Sequence, residues 1–143
     1  MMTRLLPRCV AGLILLAGLP LFADSAAKAP VDTSKIPPAS TKANVTFAAD
    51  IQPMFEKSCV RCHGAEKPKG KLRLDSLAAT LKGGEDGKVV LPGNGAGSML
   101  VQNVAHVGDP DQYMPPPKNK AGIGPLTSEQ IGLIRAWIDQ GAK

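Results

Sequence analysis

The sequence predicts an all-α domain, and three observations carry that expectation. Apolar residues recur at helical spacing near both ends of the folded part: Phe47, Ile51, Met54 and Phe55 early, then Ile131, Ile134, Trp137 and Ile138 late. Capping signals bracket the second stripe, with Thr127 as N-cap, Gln130 three residues on and Gly141 after its end. No alternating run is long enough to build a sheet. A chain of 143 residues allows one domain with one modest core. Aromatic residues make up 3% of it, against 15 Gly and 13 Pro, so side chains alone would build a thin, loop-rich interior.

Residues 1–27 read as an export signal. Arg4 and Arg8 form a positive start, Cys9 to Leu19 is nearly unbroken apolar sequence, and small residues run from Ala23 to Ala27. The run is too short for a stable span, which needs about 20 apolar residues, so cleavage and a periplasmic location are expected, with no span left in the mature chain. Residues 28–44 carry Pro30, Pro37 and Pro38 among Ala, Ser, Thr and Lys and read as a linker or disordered arm. The folded domain is expected over 45–143.

Its first helix is capped by Thr46 or by Asp50, and the second choice puts Pro53 in the first turn. Asp75 is expected to cap a short helix that Gly83 and Gly84 end, and Ser98 to cap another whose buried face is Leu100, Val101 and Val104. Leu126 and Ile131 form a hydrophobic staple on the last helix. The run Lys118–Pro125 is Gly-rich and reads as a mobile loop.

Cleavage would remove Cys9 and leave Cys59 and Cys62, and removal of Arg4, Arg8 and Asp24 lowers the formal +5 by one. What survives is local: Lys57, Arg61, Lys67, Lys69, Lys71 and Arg73 crowd around the cysteines, offset by Glu56, Glu66 and Asp75. Such a ring can steer an acidic protein partner or be a solvated face, two readings of equal weight. Nothing points to a nucleic acid.

Cys59-Val60-Arg61-Cys62-His63 has the C-x-x-C-H spacing of covalent haem attachment. Two thiols on one helical turn reach the two vinyl groups of one porphyrin, and the adjacent imidazole then lies under the iron. The pattern arises by chance in a chain of this size on the order of once in a thousand. A Cys59–Cys62 disulfide and a thioredoxin-like pair compete with it, but the latter lacks a βαβ setting. Zinc would find His106 as its only other imidazole and stay a ligand short without a carboxylate. A haem would also supply the flat apolar surface that the core lacks.

Met114, His106, Met99 and Met54 compete for the sixth position on iron, which can also stay open. Met114 is preferred because Pro115, Pro116 and Pro117 stiffen the backbone that presents it. Met54 and Met99 fall on helix stripes and read as core, His106 as solvent-facing. Around the first ligands, Pro92 is read as lending its carbonyl to the His63 ring N–H and Arg73 as meeting a haem propionate. Against these stand a plain Pro92-Gly93 turn and an exposed Arg73.

Together these segments resemble the planctomycete-type cytochrome c domain, a branch of the class I cytochrome c superfamily, from about Val45 to Ala142. The carriers are Phe47 with Asp50-Ile51-x-Pro53-x-Phe55, Cys59-x-x-Cys62-His63-Gly64, Lys69-Gly70-x-Leu72-Arg73-Leu74-Asp75, Gly83-Gly84, Pro92-Gly93, Ser98-x-Leu100, Met114-Pro115-Pro116 and Trp137-Ile138-Asp139-Gln140-Gly141-Ala142. The resemblance implies short helices wrapped around one covalent haem c, with the first and last helices crossing, His63 proximal and Met114 distal. Such domains are often fused to others. Nothing follows Lys143 here, so a carrier working alone or with a separate redox partner is expected. The implied function is single-electron transfer rather than catalysis; the alternative is a haem sensor or peroxidase-like protein with an open or exchangeable sixth site.

Overall fold

Thr46 starts the first helix, and Asp50 helps it. The Thr46 hydroxyl accepts from the Ala49 N–H at 3.3 Å while its own N–H donates to Asp50 Oδ2 at 2.9 Å. The chain is a computed structural model describing residues 30–143, so the expected export signal lies outside the described residues. The first turn, Phe47–Ile51, is wound as a π-helix, with the Gln52 N–H reaching the Phe47 carbonyl. Pro53 follows at the start of α1 (Gln52–Ser58), where its missing N–H costs little. The axis bends at Cys59 and continues as α2 (Val60–His63).

The middle of the chain corrects two expected caps. Ser76, not Asp75, caps α3 (Leu77–Lys82), accepting from the Ala79 N–H, because Asp75 is held by Arg73. Ser98 precedes α4 (Met99–Val104) without capping it. Its fully buried hydroxyl donates to the Asn94 carbonyl at 2.8 Å and accepts from the Leu91 N–H at 2.9 Å, tying the preceding loop together. Leu100, Val101 and Val104 form the buried face of α4 as the sequence predicts. Gly84 is required by close approach: a Cβ there would lie 2.5 Å from the Gly70 carbonyl oxygen.

The last helix, α5 (Ser128–Asp139), has the expected capping box. It ends in a Schellman pattern, with Ala142 N–H on the Trp137 carbonyl and Gly141, at φ +100°, on Ile138. Leu126 and Ile131, the staple pair, are both buried. Helix α5 crosses the first helix through aromatic rings: Phe47 lies 5.6 Å from Trp137 and 6.0 Å, edge-on, from Phe55. Lys143 fastens the crossing, its carbonyl accepting from the Phe47 N–H at 2.8 Å and from Trp137 Nε1 at 3.0 Å. Phe55, Ile51, Ile134 and Ile138 complete the core, each side chain worth about 1.5–3 kcal/mol on burial. Among the described residues there are five α-helices and no strand, only an isolated Gly84–Gly87 bridge, and no helix is long and apolar enough to cross a membrane.

Residues 30–44 are not a free arm. They lie along α5, with Ile36 buried, the Pro37 carbonyl accepting from Arg135 Nη1 at 3.0 Å and the Ser40 N–H donating to the Gly132 carbonyl at 2.9 Å. Composition hides this because main-chain groups make most of the contact. Gly132 is the notch that permits it: a Cβ there would lie 2.6 Å from the Pro38 carbonyl oxygen. Alanine in place of glycine inside a helix normally stabilises by about 1 kcal/mol. Here Gly132→Ala is predicted to destabilise by about 1–3 kcal/mol in urea unfolding, because the strap must lift; an increase in stability would contradict the packing.

Candidate functional site

One carbonyl organises the cysteine turn. The Cys59 oxygen accepts from the Cys62 N–H at 3.0 Å and the His63 N–H at 2.9 Å, which holds the three residues on a single turn. Both thiols are free. Burial, and secondarily Cys62, pushes the Cys59 thiol up to about 12, so it is protonated at neutral pH. A thiol used for redox exchange has the opposite, a depressed pKa. Among the described residues no cluster of three His, Cys, Asp or Glu can hold a metal ion.

His63 is set by its neighbours on the other strand of the loop. Its Nδ1 lies 3.2 Å from the Leu72 carbonyl oxygen. A carbonyl only accepts, so Nδ1 carries the proton and Nε2 keeps its lone pair for a metal. Burial lowers the imidazole's pKa, opposed by the backbone bonds, and this favours the neutral, ligating form. The His63 carbonyl in turn accepts from the Leu74 N–H at 2.8 Å, so ring and main chain are both fixed by the same segment.

That segment replaces the two partners read from the sequence. Pro92 is exposed in its turn and does not line the site; the Leu72 carbonyl takes the role assigned to it. Arg73 does not line the site either. Its guanidinium is forked onto Asp75, at 3.0 and 2.6 Å, because the side chains two residues apart point the same way along extended backbone.

Cys59, Cys62 and His63 line a cleft of about 170 Å³ that opens to solvent. Leu72, Leu74, Val89, Leu100, Val104 and Leu126 give it apolar walls. Of the four candidates for a sixth ligand, Met114 and Met99 line the cleft, while Met54 and His106 do not. Met54 is buried in the core. The His106 ring stacks on Tyr113, centroids 4.7 Å apart and 2° from parallel, and its Nε2 is buried rather than solvent-facing. Met114 is pinned to α4 by its N–H, which donates to the Asn103 carbonyl at 3.0 Å. Sequence reasoning missed the Leu72 carbonyl, the cleft-facing place of Met99, and Asn103 and Asn119. Main-chain partners leave no signal in side-chain identity, and Met99 belongs to a helix stripe that reads as core.

Residues 59–118 match the family model of planctomycete cytochrome C. Over those residues the chain is similar to the planctomycete-type cytochrome c domain. No curated protein and no solved structure matches the chain. Cytochrome c domains of this kind imply covalently held haem c and, in general, electron transfer rather than catalysis. The residues fit that group: two free thiols on one turn, an imidazole with a free lone pair, two thioethers and apolar walls around one cleft. Arg73→Gln is predicted to leave haem content and reduction potential unchanged, since Arg73 is engaged by Asp75. A shift in potential would return it to the site.

Proposed function

We propose that this chain is a monohaem electron carrier of the periplasm. One C-x-x-C-H motif and one cleft support a single haem, with Cys59 and Cys62 as the thioether anchors, His63 as proximal ligand and Met114 as distal ligand. The observation that carries the reading is the joint presence of those four residues on one apolar cleft. Bound there, haem supplies a reversible one-electron couple between ferric and ferrous iron. The chain's own residues orient and enclose it. His63, fixed by Leu72, keeps its ligating nitrogen unprotonated. A thioether opposite an imidazole raises the potential relative to two imidazoles.

On this reading the helices wrap one haem in a class I cytochrome c-like arrangement, and no residue acts as acid, base or nucleophile. The sequence pattern read as an export signal over 1–27 is what supports the periplasmic location. Lys57, Arg61, Lys67, Lys69 and Lys71 are exposed, and Lys69 stands on the rim of the cleft. An acidic redox protein docking on that basic surface is the partner the charge supports.

Optical spectra and potentiometry of matured Met114→Ala and Met99→Ala proteins test the ligand set. Met114→Ala is predicted to keep its haem, lose the near-red methionine–iron band and fall in potential, while Met99→Ala keeps the band. The reverse pattern would move the sixth ligand to Met99. Rapid carbon monoxide binding by the unmodified ferrous protein would favour a sensor or peroxidase-like role.

A further inference from the structure

The segment between Met114 and α5 reads from its composition as mobile, but one side chain clasps it. Asn119 uses its whole amide. Nδ2 donates to the Pro116 carbonyl at 2.9 Å and to the Ile123 carbonyl at 2.8 Å, and Oδ1 accepts from the Ile123 N–H at 3.0 Å. Its backbone N–H adds a second bond to the Pro116 carbonyl at 3.1 Å, and its carbonyl accepts from Gly122 at 3.3 Å. Only asparagine fits these needs: two donors and one acceptor on the shortest amide stem. Aspartate would keep the acceptor, lose both donors and set a carboxylate against two carbonyl oxygens.

The clasp sits on the cleft. Pro116, Asn119, Ile123 and Leu126 line its wall together with Met114. On one side Met114 is tied to α4 through the Asn103 carbonyl. On the other, Pro116 is tied through Asn119 to Ile123, and Leu126 enters α5 as half of the staple. The loop therefore bridges two helices and is held by hydrogen bonds of its own.

We infer that Asn119 is the positioning residue for Met114: its amide holds the loop closed so that the thioether is presented to the cleft. The inference rests on Met114 as the distal ligand. With the loop pre-ordered, placing the sulfur on iron requires little further loss of chain entropy. Without the clasp, three side-chain hydrogen bonds are gone, and the population with Met114 off the iron rises on the order of a hundredfold.

The test uses the matured holo-protein in four forms: unmodified, Asn119→Leu, Asn119→Asp and Met114→Ala. Intact mass and far-ultraviolet circular dichroism report attachment and fold; the near-red band and the rate of carbon monoxide binding to the ferrous form report the ligand. Both Asn119 variants are expected to keep haem and helix content while the band weakens and the binding rate rises on the order of a hundredfold. The nearly isosteric aspartate variant decides the matter if the leucine variant does not mature. An intact band and unmodified rate in the Asn119 variants, with the band lost in Met114→Ala, would overturn the role of Asn119 alone. A band that survives Met114→Ala would overturn the ligand assignment and the clasp's purpose with it.

Discussion

The contact of Phe47 with Trp137, 5.6 Å between ring centroids, joins the two ends of the domain, and the placement of the cysteine turn follows from it. Trp137 is completely buried, and its indole N–H and the Phe47 N–H converge on one carbonyl, that of Lys143. With so few aromatic rings in the sequence, three of them meet at this crossing. From the crossing the first helix runs directly to Cys59. Helix α5 meanwhile receives the strap of residues 30–44 at Gly132 and the loop at Gly95, whose N–H donates to Asp139 at 2.6 Å.

Burial accounts for most of the site's chemistry. Low polarity around the cleft disfavours charge on any group that enters it, so it raises the Cys59 thiol and lowers the His63 imidazole. A protonated thiol and a neutral imidazole suit thioether attachment and iron ligation and do not suit thiolate redox exchange. The charges that remain, chiefly lysines, stand outside on the exposed face near the cysteines.

What was legible in the sequence was local. The Cys59–His63 turn, the Thr127–Gln130 box, the Gly141 cap and the stripes of α4 and α5 are each fixed by residues within a turn or two of one another. Failures came where a polar group had a competing partner, close by or across a loop. Asp75 left the cap of α3 because Arg73 was two residues away; Ser98 left α4 for Asn94 and Leu91. The partner of His63 is a main-chain carbonyl, so a proline at 92 and a leucine at 72 were equally silent about which supplied it. The strap was hidden for a similar reason: Pro37, Ser40 and Lys42 hold α5 through backbone groups that composition does not record. Asn119 lay in a stretch whose glycines suggested mobility, and its amide bonds become visible only when the loop is closed.

The central claim is that Cys59 and Cys62 carry one haem between them. Mass spectrometry of the matured protein, intact and after proteolysis, tests it most directly. The account predicts a single haem added to the polypeptide mass and recovered on the peptide that contains Cys59, Cys62 and His63. A mass equal to the amino acids alone, or haem lost under denaturing conditions, would contradict it.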